Sequence, residues 1–421
     1  MRHFQYIDGE LTAEDVPLRA IAEAVGTPAY VYSTATLERH FTVFREAFGN
    51  LPVHIAFAVK ANTNRAVLAT LARLGAGADT VSEGEIRRAL AAGIPASGIV
   101  FAGVGKTDAE LAYAVGIGVR QINVESAQEL DRLSAIAAAA GREQAVCFRV
   151  NPLIGAGGHA KITTGHGASK FGVTLAEAES LYARAVSLPG VRPEGLSVHI
   201  GSQIVDFAPL EAAYRRMAGT VLRLREAGHT VRRLDLGGGL AATYRDDGTP
   251  GPDLPAYGAM VRSVVEGLDL EIELEPGRMI AANAGVLLSR AVVTKQSQER
   301  SFLVLDAAMN DLIRPALYDA FHEILPLREA AAGAPVAAAD IVGPVCETGD
   351  TFAEHRQMPP VEPGELVAIM SAGAYGFTMA SSYNSRLLPA EVIVNGDRWS
   401  VVRPRQTWDE LFGMETLPDW L

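Results

Sequence analysis

Residues 53–74 have the sequence VHIAFAVKANTNRAVLATLARL, which is an apolar run, a polar turn and a stretch with helical spacing. The same order of strand, turn and helix recurs up to about residue 280. Later strand-like runs lie at 78–81, 99–102, 121–124, 146–150, 195–200, 233–236 and 271–274. About eight such units in about 250 residues predict an α/β fold, a (β/α)8 TIM-like barrel over residues 30–280.

The residue pattern changes after Gly277, where stretches with helical spacing mostly disappear. Short β-rich runs at 285–294, 301–306, 365–370, 391–394 and 398–401 alternate with Pro and Gly turns. We expect residues 281–421, completed by residues 1–29, to form a mainly antiparallel β domain. The Ala-rich stretch 329–339 is predicted to be a short helix or a surface loop.

Composition excludes several classes of protein. The 421 residues are 48% hydrophobic and 20% charged, which is typical of a globular protein with a large core. The net charge of −12 argues against nucleic acid as a partner. Because no apolar run approaches about 18 residues and the N-terminus lacks a signal peptide's apolar core, we expect a cytoplasmic protein without a membrane span. Two cysteines cannot form a disulfide framework.

Lys60 ends the first predicted barrel strand. A lysine there would lie at the carboxyl end of the barrel, where barrel enzymes place their active sites. Partial burial would lower the pKa of its amine and make it a nucleophile for a carbonyl group. The simpler alternative is a strand-end lysine that reaches solvent.

Two later segments indicate a phosphate site at the same end of the barrel. Leu236–Gly239 (LGGG) follows the seventh predicted strand, and Glu275–Arg278 (EPGR) follows the eighth. Barrel proteins often bind phosphate with the loops after those two strands, and consecutive glycines let the backbone approach an anion. Together with Lys60, these loops suggest a phosphorylated aldehyde cofactor, pyridoxal 5'-phosphate.

Two further side chains suit such a cofactor. His199 lies near another strand end and could lie against the cofactor ring, although an isolated histidine is more often structural. Glu275 could pair with a pyridine nitrogen, which would keep that nitrogen protonated and make the ring a stronger electron sink.

Two further motifs do not meet the requirements of the sites that they resemble. Residues 100–107 (VFAGVGKT) look like a phosphate-binding P-loop, but Val100 stands where that motif needs glycine. His159 and His166 lie seven apart without a cysteine or carboxylate cluster, so we predict no metal site.

Three clusters in the C-terminal region carry polar chemistry: Arg314 with Tyr318, Cys346 with Glu347, and Tyr375 in a Gly-flanked turn. Each could equally be a packing loop. Their mixture of cation, carboxylate, thiol and phenol suits a zwitterionic substrate.

The chain resembles the diaminopimelate decarboxylases, pyridoxal phosphate enzymes of the alanine racemase and ornithine decarboxylase fold type. Seven ordered segments carry the resemblance over nearly the whole chain: AVKAN (58–62), HIGSQ (199–203), GGG (237–239), EPGR (275–278), MNDLIRPALYDAFH (309–322), GPVCETGD (343–350) and GAYGFTMASSYNSR (373–386).

The resemblance implies roles for individual residues. Lys60 would form the internal aldimine, His199 would stack on the ring, and Cys346 would return a proton to the quinonoid carbanion left by CO2. The implied cofactor-binding residues are Lys60, His199, Gly238, Gly239, Glu275, Gly277, Arg278 and Tyr375. The implied substrate-binding residues are Arg278, Arg314 and Tyr318 for the distal carboxylate, Glu347 for the distal ammonium, and Tyr375.

By the same resemblance, the enzyme would convert meso-2,6-diaminopimelate to L-lysine and CO2, the last step of lysine biosynthesis. It would act as a homodimer, because Cys346 reaches the site from the neighbouring subunit in this family. The alternatives are an ornithine- or arginine-type decarboxylase, a racemase, and a non-catalytic regulator that binds pyridoxal phosphate. The ornithine-type enzymes tend to carry Asp where this chain has Glu347, and Arg314 offers a partner for a second carboxylate.

Overall fold

The computed structural model describes residues 3–155, 170–245, 247–248 and 251–421. The chain divides into two compact units. The barrel unit comprises Glu38–Ala242 and Pro250–Ile280, and the β unit comprises Met1–Leu37, Thr243–Thr249 and Ala281–Leu421.

The first elements of the chain belong mainly to the β unit. They are β1 (Phe4–Ile7), β2 (Glu10–Ala13), β3 (Val16–Pro17), α1 (Leu18–Val25), β4 (Ala29–Ser33) and α2 (Thr34–Glu46). Strands β1 to β3 form a small antiparallel sheet, whereas β4 joins the large sheet of the β unit.

Eight parallel strands form the closed barrel, and each is followed by a helix. The strands are β5 (Val53–Ala58), β6 (Gly77–Thr80), β7 (Ile99–Phe101), β8 (Gln121–Val124), β9 (Gln144–Val150), β10 (Val191–Val198), β11 (Arg233–Asp235) and β12 (Glu271–Leu274). The helices are α3 (Arg65–Arg73), α4 (Glu83–Ala91), α5 (Asp108–Ile117), α6 (Ala127–Ala139), α7 (Leu175–Ala185), α8 (Ala208–Glu226), α9 (Leu254–Val265) and α10 (Arg278–Ala281). The strands follow one another in chain order around the barrel, and β12 closes it against β5.

Local sequence explains where these helices begin. Asn64, Ser82, Thr107, Ser126 and Thr174 each accept a hydrogen bond from a backbone N–H in the first turn of the following helix. Such caps satisfy N–H groups that the helix itself leaves without a partner, so these five helices each have a defined start.

The C-terminal part of the chain forms most of the β unit. Its strands are β13 (Gly285–Gln296), β14 (Ser301–Leu305), β15 (Ile324–Pro326), β16 (Ala337–Val342), β17 (Thr351–Met358), β18 (Leu366–Ile369), β19 (Ala390–Asn395) and β20 (Arg398–Arg403). The long strand β13 pairs antiparallel with β14, β18 and β4. Two short helices complete it, α11 (Arg314–Tyr318) and α12 (Trp408–Phe412).

The β unit has its own apolar core, in which N-terminal residues such as Leu11, Leu18 and Val31 pack with Val286 and Val392. The predicted fold class, a barrel plus a mainly antiparallel β domain that includes the N-terminal segment, is therefore confirmed.

One local prediction is partly wrong. The Ala-rich stretch 329–339 was expected to be a helix or a loop, but its last three residues begin β16, which pairs with β14 and β17. The apolar Ile341 and Val342 lie in the second half of this strand, and the alanines at its start are largely exposed.

Among the described residues, no helix combines the length and the apolar character needed to cross a bilayer.

Candidate active site

Lys60 lies in a short 3-10 turn, Val59–Ala61, that directly follows β5 at the carboxyl end of the barrel. Its Nζ donates a hydrogen bond to Oδ2 of Asp79 at 2.8 Å, and the Asp79 side chain is fully buried at the end of β6. The turn holds a lysine whose side chain remains 39% exposed beside a fixed buried carboxylate. Such an amine is accessible to a carbonyl and has an adjacent proton acceptor.

The three glycines after β11 lie where the chain comes very close to other backbone segments. A Cβ on Gly238 would fall well within 3.0 Å of the carbonyl oxygen of Glu275, and a Cβ on Gly239 equally close to that of Gly201. Gly237 and Gly239 also have positive φ angles, +66° and +109°. Only glycine fits this loop, and at the partly exposed Gly238 and Gly239 no Cβ blocks the approach of an anion to the backbone.

Glu275 is a buried carboxyl group at the end of β12. Its Oε1 has no hydrogen-bond partner among the described residues. Burial, with the carboxylates of Asp235 and Asp79, raises the pKa of Glu275 well above its ordinary value. A buried carboxyl with one unused oxygen is the chemistry expected beside a ring N–H that a ligand supplies.

Asp235 connects the glycine loop to the barrel interior. Its Oδ1 accepts a hydrogen bond from the N–H of Gly237 at 2.9 Å, and its Oδ2 accepts one from Asn123 at 2.8 Å. Burial and the nearby Glu273 raise the pKa of Asp235 to about 6. Asp235 therefore fixes the start of the loop that the sequence predicted to bind phosphate.

His199 follows β10, and its Nδ1 accepts a long hydrogen bond from the N–H of Gly238 at 3.4 Å. Burial first, and then the positive charges of Arg149 and Lys60, lower the pKa of His199 to about 3. The imidazole is therefore uncharged at neutral pH and presents a flat neutral ring at the barrel end.

The EPGR segment packs against the turn that carries Lys60. A Cβ on Gly277 would lie 2.9 Å from the Cβ of Ala58 and 3.0 Å from that of Ala61, so this approach also requires glycine. Arg278 is buried and donates to Ser202 Oγ from Nε at 3.3 Å and from Nη2 at 3.2 Å.

These barrel groups fit pyridoxal phosphate by their chemistry. The exposed amine of Lys60 suits the aldehyde, the unused Glu275 oxygen suits the ring nitrogen, neutral His199 suits the ring face, and the loops at Gly237–Gly239 and Gly277 suit the phosphate. The structure thus brings together the predicted cofactor residues of the barrel unit.

The predicted substrate residues belong to the β unit. Arg314 begins α11 and is buried, with Nη1 2.7 Å from Nε2 of His322. His322 Nδ1 is 2.8 Å from the carbonyl oxygen of Met370, so Nδ1 carries the proton and Nε2 accepts from Arg314. The guanidinium also lies 4.6 Å from the ring centre of Tyr244. Tyr318, four residues after Arg314, ends the same helix.

Cys346 and Glu347 lie in a tight exposed loop that Asp350 closes. The buried Asp350 accepts hydrogen bonds from the N–H of Val345 at 2.7 Å and from that of Met309 at 2.6 Å. Cys346 is exposed, in contrast to Cys147, which is fully buried in the barrel wall. The loop therefore presents a thiol and a carboxylate side by side at the surface of the β unit.

Tyr375 adopts a left-handed backbone conformation with φ +56°, which is uncommon for a residue other than glycine. The following Gly376 leaves no room for a Cβ, which would collide with the carbonyl oxygen of Ala372. A constrained backbone of this kind often marks a functional position.

Several residues that support these groups were not predicted from the sequence: Asp79, Asn123, Arg149, Asp235, Tyr244, His322 and Asn384. Asp79 and Asp235 had a detectable signal, since each lies in or just after a predicted barrel strand. His322 lies within the quoted 309–322 segment but had been given no role.

The two motifs to which the sequence assigned no function are the P-loop-like segment 100–107 and the histidine pair His159 and His166. Lys106 of the P-loop-like segment is buried and donates to Glu129 Oε1 at 2.6 Å, so it is a core ion pair. Within the described ranges no group of three His, Cys, Asp or Glu side chains could hold a metal. His159 and His166 lie outside the described residues.

Comparison with known proteins identifies relatives along the whole chain. Residues 34–282 match the family described as pyridoxal-dependent decarboxylase, pyridoxal binding domain. The chain is 48% identical to a diaminopimelate decarboxylase of Zymomonas mobilis over 99% of both chains. It is similar to the crystal structure of diaminopimelate decarboxylase from Helicobacter pylori complexed with L-lysine, at TM-score 0.90 and 37% identity over 94% of this chain and 98% of that one. A diaminopimelate decarboxylase from M. jannaschii, in co-complex with L-lysine, matches at TM-score 0.94 and 32% identity over 99% and 98% of the two chains.

Proposed function

The chain belongs to the diaminopimelate decarboxylase family, and on that premise we propose that it converts meso-2,6-diaminopimelate to L-lysine and CO2. It is a carboxy-lyase of lysine biosynthesis, and its cofactor is pyridoxal 5'-phosphate. The observation that carries the proposal is the barrel end, where the Lys60 amine, the unused oxygen of Glu275 and the glycine loop complement the three functional parts of that cofactor.

Bound pyridoxal phosphate supplies an aldehyde for an amino group and a ring that accepts the electrons of the bond to the departing carboxylate. Lys60 would hold the aldehyde carbon, and Asp79 would take up the proton that the Lys60 nitrogen must release. Glu275 would pair with the ring nitrogen, and this ion pair would remove the penalty of a buried carboxylate. His199 stays neutral against the ring, so it adds no competing positive charge.

Substrate selection would fall to side chains of the β unit. A buried guanidinium is a strong partner for a carboxylate. Arg314, held by His322 and Tyr244, would bind the distal carboxylate together with Tyr318 and Arg278. Glu347 would bind the distal ammonium, and Tyr375 would contact both cofactor and substrate.

Cys346 would complete the reaction as the proton donor. The thiol would give its proton to the carbon that loses CO2, and solvent would then return a proton to the thiol. Cys346 and Glu347 are exposed in the isolated chain, which supports a homodimer in which each subunit supplies this loop to its partner's site. We propose that the dimer acts in the cytoplasm, where lysine is used for protein synthesis.

The rival reading is an ornithine- or arginine-type decarboxylase, whose substrates offer Arg314 no distal carboxylate. Those substrates carry one carboxylate, and it is the one that departs. The family membership likewise favours the dicarboxylic substrate.

A direct test compares CO2 release from meso-diaminopimelate, L-ornithine, L-arginine and L-lysine by the holoenzyme. We expect release from diaminopimelate with equimolar L-lysine as product. Release from ornithine or arginine instead would keep the cofactor site and overturn the substrate assignment. No release from any of the four, with the cofactor bound, would favour a regulatory role.

A further inference from the structure

The backbone of Cys346 is held by a side chain from a different segment of the β unit. The N–H of Cys346 donates a hydrogen bond to Oδ1 of Asn384 at 3.0 Å. Asn384 adopts a left-handed conformation, φ 55° and ψ 27°, which asparagine tolerates better than most residues other than glycine. The residue type is therefore suited both to the backbone and to the bond.

Tyr383, the residue before Asn384, lies near Glu347, the residue after Cys346. The Glu347 carboxylate raises the pKa of the Tyr383 phenol. The segment 383–384 therefore lies against residues 346–347 of the loop. We call residues 383 and 384 the clamp.

Hydrogen bonds within the loop, and one from Met309, hold the rest of its backbone. The N–H of Glu347 donates to the carbonyl oxygen of Val345 at 2.8 Å, and the N–H of Asp350 donates to that of Glu347 at 3.1 Å. Together with the two hydrogen bonds accepted by Asp350, these contacts fix the shape of the loop. The clamp adds a bond at the residue that carries the thiol.

The segment that carries the clamp is anchored on both sides by one buried residue, Asn310. Its Nδ2 donates to the carbonyl oxygen of Ser381 at 3.2 Å, and its Oδ1 accepts from Nε of Arg386 at 3.0 Å. Ser381 in turn donates its N–H to the Asn310 carbonyl oxygen at 2.9 Å. The clamp therefore has a fixed base against which it can orient the loop.

We propose that Asn384 is a positioning residue for the reaction: through its hydrogen bond to the Cys346 N–H, it sets where the Cys346 thiol delivers its proton. This inference rests on the proposed function, because Asn384 would act only through the Cys346 thiol. Misplacing a reacting group by about 1 Å can lower a rate by about a hundredfold.

Three substitutions separate positioning from general structure. Asn384→Gly keeps the left-handed backbone and removes the acceptor, whereas Asn384→Asp keeps both. Ser385→Gly is the matched control, since Ser385 has the same left-handed φ of 55° and lies next to the clamp residue that it leaves intact.

The decisive experiment is turnover of meso-diaminopimelate by each holoenzyme in D2O, with NMR analysis of the deuterated carbon of lysine. A thiol held in one place delivers deuterium to one face of the carbon that lost CO2. The wild type, Asn384→Asp and Ser385→Gly should therefore give lysine with one configuration at the deuterated carbon. Asn384→Gly should give a mixture and a kcat lowered about tenfold. A single configuration from Asn384→Gly, or a mixture from Ser385→Gly as well, would overturn the proposal.

If the wild type itself released no CO2 from diaminopimelate, the proposed function would fail; an active wild type with unaffected clamp variants would refute only the inference about the clamp.

Discussion

Gly277→Ala is the substitution whose effect follows most directly from the geometry of the barrel end. Gly277 lies against the turn that carries Lys60, and the added Cβ would be 2.9 Å from the Cβ of Ala58 and 3.0 Å from that of Ala61. Carbon atoms in ordinary contact are about 3.5–4.0 Å apart, so the two segments must separate by roughly 0.6–1.1 Å. No positive φ at Gly277 adds backbone strain, and the effect is purely steric.

That displacement would move the Lys60 turn away from the loop after β12. Because a shift of about 1 Å in a reacting group can cost about a hundredfold, we expect turnover to fall ten- to a hundredfold and cofactor binding to weaken. The assay is a titration of the apoenzyme with pyridoxal phosphate, followed by visible absorption, together with kcat for diaminopimelate.

Gly105→Ala is the matched control, since its Cβ would meet nothing within 4 Å and its φ is not positive. Combining Gly277→Ala with Ala58→Gly, which removes one of the two opposing methyl groups, should restore part of the cofactor affinity. If Gly277→Ala behaved like Gly105→Ala in both measurements, the close approach of the two segments would have no bearing on the site and the reasoning would be refuted.

Three further predictions concern substrate, charge and loop stability. Arg314→Met should lower kcat/KM for diaminopimelate about 10- to 150-fold, the value of a charge-assisted hydrogen bond, with little change in the thermal midpoint; an unchanged kcat/KM would contradict its role. Because the pKa of His199 is about 3 in the folded protein and about 6.5 when unfolded, the unfolded chain binds more protons between those values. Urea unfolding should therefore show wild-type stability falling more steeply from pH 6.5 to 4 than that of His199→Asn, and equal slopes would refute the assignment. Asp350→Ala leaves two backbone N–H groups without their acceptor, and should cost about 2–4 kcal/mol in urea unfolding; a cost under about 0.5 kcal/mol would show that the loop does not depend on it.

The sequence predicted the barrel because its signal is local and repeated. Apolar runs alternate with stretches of helical spacing, and the rule that active sites lie at the carboxyl ends of barrel strands located Lys60 without any structure. The alternation of β-rich runs with Pro and Gly turns likewise predicted the antiparallel unit. The resemblance to a family then supplied residue roles that periodicity alone could not.

The missed residues depend on register and on contacts between distant segments. Asp79 pairs with Lys60 because Ala58 on β5 lies opposite Asp79 on β6, and a shift of one residue would direct the carboxylate elsewhere. Cys346 and Asn384 are 38 residues apart and meet only in the folded β unit. Strand β16 was missed because its alanines have weak β propensity, and its pairing with β14 and β17 overrides that preference.

Every role proposed at the barrel end depends on Lys60 as the residue that holds pyridoxal phosphate. The most direct measurement is borohydride reduction of the holoenzyme followed by peptide mass mapping. We predict one pyridoxyl phosphate group per chain, attached to the peptide that contains Lys60, and none in Lys60→Ala. Attachment to any other lysine, such as Lys106 or Lys170, would contradict the account.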